Sequence, residues 1–104
     1  MRQKRVTVEV RNGAIVPGED PVVISGGSHV IQWELVTPGY TFPADGIALK
    51  GGASPEFSNG HPANQGRFYQ LNDRNSRVGD HHYTIRVDGA PPVPPLDPTI
   101  RNQQ

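Results

Sequence analysis

The chain has 104 residues, ten basic and ten acidic side chains, 34% hydrophobic residues and no cysteine. That length suits one domain with one core. The charge balance argues against nucleic acid or an anionic membrane surface as the main partner, and the missing thiols exclude disulfides, thiolate nucleophiles and zinc-thiolate or blue-copper centres.

Near-neutrality removes a source of self-repulsion, so a protein partner or self-association is expected. No run of about 20 apolar residues occurs that could span a membrane. The start "MRQKRVTVEV" lacks the apolar stretch of a signal peptide, and a cytoplasmic location is the expectation. Twelve glycines and eleven prolines are spread along the chain, leaving no helix-length window. The predicted fold class is therefore all-β.

Strict alternation marks a first strand over Lys4 to Val10, with three valines on one face, and Asn12-Gly13 turns it into a short piece Ala14 to Val16. Val22 to Ile24 follows, and "SGGS" leads into "HVIQWEL", where Ile31, Trp33 and Leu35 share a face. Trp33 is placed between two sheets, as a large aromatic most often is. Short strands are expected near Thr41 to Phe42 and Ile47 to Leu49. "SPEF" reads as one helical turn, with Ser54 as N-cap and Pro55 at the first position, inside a long loop from Lys50 to Gly66. "RFYQL" and "HHYTIRV" form the last pair of strands. About seven short strands in all indicate an antiparallel β-sandwich or a partly open barrel over residues 1–89.

Residues 90–104 hold the run "PPVPP", which can follow only an extended path, and then the alternating "TIRN". This end is predicted to be a strap across the sandwich, with Thr99 to Asn102 added at an edge of this chain or of a neighbour. Pro94, Pro95, Asp97, Ile100 and Arg101 are its contact residues.

Chemical signals are sparse. His81 and His82 are adjacent in a strand and point to opposite faces, so they cannot chelate one ion together. A hydrolase or metal-dependent site would need His61 to meet His82 and Asp80 in space. No serine sits in a nucleophile elbow, and "SGGS" and "KGGAS" lack the helix and the Lys-Ser or Lys-Thr ending of a phosphate loop. Neither a cofactor nor a metal is expected. Arg67, Tyr69 and Arg86 could line a sheet face for a sugar or nucleotide.

On "GYTFPADGIAL", "RFYQLNDRNS", "YTIRV" and "LDPTIRN" the chain resembles the DP-EP family, small bacterial immunoglobulin-like β-sandwich proteins with no established activity. It carries Asp20-Pro21 and Asp97-Pro98 but no Glu-Pro pair. The resemblance implies the fold and brings no catalytic residues. The expected function is a non-enzymatic binding or assembly module acting through loop and edge-strand contacts.

Overall fold

The computed structural model describes residues 2–51 and 54–104. Over these residues it is all-β and sandwich-like, with eleven strands where about seven were expected. Among the described residues no helix is long and apolar enough to cross a membrane.

The first layer is a five-stranded sheet in the order β2-β1-β4-β8-β7, from β1 (Arg2–Arg11), β2 (Ala14–Pro17), β4 (His29–Leu35), β7 (Phe57–Ala63) and β8 (Phe68–Asp73). The second has the order β3-β11-β9-β6, from β3 (Val22–Ile24), β6 (Ile47–Leu49), β9 (Gly79–Ile85) and β11 (Thr99–Asn102). A two-residue pairing of β5 (Tyr40–Thr41) with β10 (Asp88–Gly89) closes one end.

Alternation in β4 does what its sequence requires. Ile31, Trp33 and Leu35 are buried, and opposite them stand Lys4, Val6 and Val8 of β1 and, from β8, Leu71 and Tyr69 facing Ile31 and Trp33. The second layer contributes Val22, Ile24, Ile47, Tyr83, Ile85 and Ile100 to the same core. Trp33 joins the layers: its ring lies 5.5 Å from that of Tyr83, and its indole N–H donates to the Tyr83 hydroxyl at 3.3 Å. Each such buried side chain contributes about 1.5–3 kcal/mol of transfer free energy.

Three expectations need correction. The sheets are mixed, not antiparallel, because β1 runs parallel to β4 and β3 parallel to β11. The segment from Lys50 to Gly66 is not all loop. "SPEF" makes a tight turn, with the Ser54 hydroxyl accepting the Glu56 N–H at 3.2 Å, and the chain then enters β7, an edge strand with a bulge between Ser58 and His61. A bulge breaks the period of two, so the strand shows no alternation.

The third correction concerns the C-terminus. Thr99–Asn102 joins no edge: it lies between β3 and β9, with Ile100 and Asn102 both 0% exposed. The approach is paired as well, since Leu96 exchanges both backbone hydrogen bonds with Ile85 and Tyr83 N–H donates to Pro98 O. Prolines 91, 92, 94 and 95 lie in the exposed return between β9 and this strand. A central strand needs donors toward both neighbours, so β11 begins only after the last proline, Pro98.

At one end of the core sits a polar cluster. The side-chain amide of Asn102 donates to Glu56 at 3.1 Å and to Asp73 at 3.0 Å, and both carboxylates are nearly fully buried. Burial pushes the Glu56 carboxyl up, but hydrogen bonds from the Ser76 hydroxyl, the Arg77 and Ser76 backbone N–H groups and Asn102 outweigh it and hold the group below its ordinary range. Asp73 moves the other way. Burial dominates there, the Glu56 charge adds to it, and the carboxyl is raised in spite of hydrogen bonds from Asn75 and Asn102 and the nearby His81.

Two predictions follow from this packing. Truncating Ile100 to alanine should lower stability by about 2–4 kcal/mol in urea unfolding; a loss below about 1 kcal/mol would show that the strand is not part of the core. The carboxylates should act with opposite sign. Glu56 stabilises above its ordinary value of 4.5, and this stabilisation is lost as pH falls, so Glu56→Gln should flatten the acid limb of stability against pH. Asp73 penalises the ionised state, so stability is lost as pH rises from its ordinary value of 3.8, and Asp73→Asn should remove that slope. Unchanged profiles in both variants would contradict the assignment.

Candidate binding cleft

The structure separates the residues of the expected catalytic arrangement. His61 stands opposite Gln70 on the outer face of the first sheet, with its Nδ1 2.8 Å from Asn59 O. Asp80 and His82 project from the outer face of the second sheet, beside Arg101 and Thr99. Packed sheets lie about 10 Å apart, so groups on opposite outer faces cannot share a substrate. Asp80 accepts two bonds from Arg101, at 2.8 and 3.3 Å, which together with the Arg101 charge hold its carboxyl below the usual range. His82 Nδ1 lies 3.1 Å from the Thr99 hydroxyl. Among the described residues no group of three His, Asp or Glu side chains is arranged to hold a metal.

The tail residues are similarly engaged within the chain. Asp97 accepts from the Thr84 hydroxyl at 2.9 Å and faces Lys50 Nζ at 3.1 Å, which lowers its carboxyl in that order of effect. Ile100 is core, Arg101 is paired with Asp80, and Pro94 and Pro95 are exposed.

The Arg67, Tyr69 and Arg86 face does not assemble. Tyr69 is only 3% exposed because it points inward, donating its hydroxyl to Ala44 O at 2.8 Å; burial, with the charge of Asp45, raises its pKa. Its neighbour Phe68 takes the outer face, as alternation demands. Arg86 lies beyond β9, 3.8 Å from Asp45. Arg67 has no carboxylate partner among the described residues, and it lines a cleft of about 260 Å³ with Leu35, Val36, Tyr40, Asn64 and Gln65.

Two walls form this cleft, and both are fixed to the sheet. One is the loop from Val36 to Gly39. Val36 N–H donates to Val8 O at 2.9 Å, and the Thr37 hydroxyl accepts Val10 N–H at 2.8 Å. The loop delivers Tyr40, whose hydroxyl donates to Pro91 O at 2.6 Å. The Tyr40 ring packs against β10, where a Cβ on Gly89 would come within 2.3 Å of it, so only glycine admits the ring there.

The other wall is the β7–β8 turn, in which Asn64, Gln65 and Gly66 are all left-handed, with φ of 53°, 61° and 83°. Two consecutive non-glycine residues in that region are uncommon, and each is disfavoured by about 1–2 kcal/mol. The surroundings hold them there. Gly66 O accepts Phe42 N–H at 2.7 Å, and Leu35 N–H donates to Arg67 O at 2.9 Å. The walls are thereby linked to each other through Phe42 and Leu35.

Of the cleft residues the sequence singles out only Arg67. Asn64-Gln65-Gly66 carries a turn signal, and "PGY" another, but nothing local shows that two turns about 25 residues apart meet. Compared with models of known protein families and with curated proteins, the chain matches none.

Gly66 provides the test of this geometry. A Cβ there would lie 2.9 Å from Thr41 Cβ and 3.0 Å from Phe42 O, at a φ unfavourable for any side chain. Gly66→Ala should destabilise the protein by about 1–3 kcal/mol and shift the amide resonances of Thr41 and Phe42. Unaltered stability and spectra would contradict the described turn.

Proposed function

We propose that the chain is a non-enzymatic binding module on an immunoglobulin-like sandwich, in keeping with its resemblance to the DP-EP family, and that it takes its ligand in the Tyr40–Arg67 cleft. The observation that carries this is a preformed concavity with one uncompensated cation beside a partly exposed aromatic ring. Rigid walls lose little freedom on binding, so their contacts count toward affinity. Catalysis would need a carboxylate, imidazole or amine placed to activate an attacking group, and the lining offers amides, hydroxyls and a guanidinium without one.

The edges favour contact through loops over strand addition. β3 and β6 have three residues each, β2 ends in Pro17, and β7 is interrupted by its bulge and by Pro62. Short, proline-bearing or bulged edges are how sheets avoid pairing with other chains. A protein partner, if there is one, would meet loops.

A fragment-library titration followed by amide chemical shifts tests the reading. Shifts should concentrate at Val36 to Thr41 and Asn64 to Arg67, and Arg67→Ala should weaken anionic hits by about tenfold without loss of fold. Shifts scattered over the surface, or confined to the outer sheet faces, would count against the cleft.

A further inference from the structure

From the chemistry of the lining we infer that the cleft's ligand is an acidic sugar, a pyranose bearing a carboxylate; this rests on the binding-module reading and specifies its ligand class. Arg67 is the one charged residue among the described residues lining the cleft. A guanidinium presents a planar fork of donors that matches a carboxylate in two parallel hydrogen bonds, and with no protein carboxylate on it the fork is open. The ligand therefore carries an anionic group at that end.

The rest of the lining is neutral and two-faced. Asn64 and Gln65 each offer an amide donor beside an amide acceptor, the pattern that adjacent ring hydroxyls complement, and Thr41 adds a hydroxyl. Tyr40 presents an aromatic ring and Val36, 42% exposed, an apolar side chain; these suit the C–H face of a pyranose. A bare anion would leave that apolar surface uncovered. A flat nucleobase would stack on Tyr40 and pair an edge with an amide, but it carries no anionic group for Arg67. The cleft volume, about 260 Å³, lies just below the usual range of roughly 300–1,000 Å³ for ligand sites, which fits one or two sugar rings at the end of a chain.

The test is a set of amide-shift titrations on the full chain with glucuronate, glucose and acetate as probes. Glucuronate should shift Tyr40, Gln65 and Arg67 and bind about tenfold more tightly than either glucose or acetate. Arg67→Gln should bring glucuronate within about twofold of glucose while Tyr40 still shifts; the side chain is exposed, so the variant should keep the fold. Equal affinity for glucose would overturn the carboxylate, and equal affinity for acetate would overturn the sugar. If fragments occupy the cleft but none of the three probes does, the acidic-sugar inference fails and the binding reading stands; if fragments fail as well, both fail.

Discussion

The second layer of this protein depends on its last strand. Among the described residues β3 pairs in its sheet with β11 alone, so without Thr99–Asn102 it would have nothing to pair with and Val22 and Ile24 would lose their place in the core. The junction is reinforced on both sides: Asp20 accepts Thr99 N–H at 3.1 Å, and Gln103 N–H donates to Ile24 O at 2.7 Å. Pairing residue 22 with residue 100 closes about three quarters of the chain as a loop, an entropic cost that only later contacts offset. The layer is thus completed by the part of the chain furthest from where it begins, and topologies of this kind fold slowly.

Register in that strand is set by chemistry as well as by shape. A slip of one residue would turn Arg101 inward and Asn102 outward. The guanidinium would lose Asp80 and enter an apolar layer, while Glu56 and Asp73 would lose the amide that bridges them. A buried carboxylate without its donor is destabilised by several kcal/mol, more than a surface ion pair contributes. The polar cluster therefore acts chiefly against wrong pairings. The same layering positions the cleft, because its walls are tied to β1, β4 and Phe42 and not to each other alone.

Much of the first layer was legible. Alternation in "HVIQWEL" put Ile31, Trp33 and Leu35 inside, and Asn12-Gly13, with φ of 54° and 75°, makes the hairpin its residues announce. Such features are local, so a few residues carry them. The parallel pairings were not legible, since strands joined by a long crossover leave no turn signature between them. β7 was hidden by its bulge, and the adjacent pair Phe68-Tyr69 does not by itself say which ring points in, so Tyr69 read as a binding residue. Asn102 was the least legible. A polar side chain at an inward position reads as a surface residue unless its partners, 29 and 46 positions away, are known. The cleft shares this difficulty, for Arg67 is visible in the sequence but the proximity of Tyr40 is a product of the fold.

Native-state hydrogen exchange on the full chain tests the central claim most directly. If the C-terminal strand completes the second layer, the amides of Leu96, Ile100 and Asn102 exchange only through global unfolding, at the same free energy as Trp33 in the first layer. Exchange of those amides at the rate of the exposed Ala90, with Trp33 still protected, would show a terminus that separates from a fold able to stand without it.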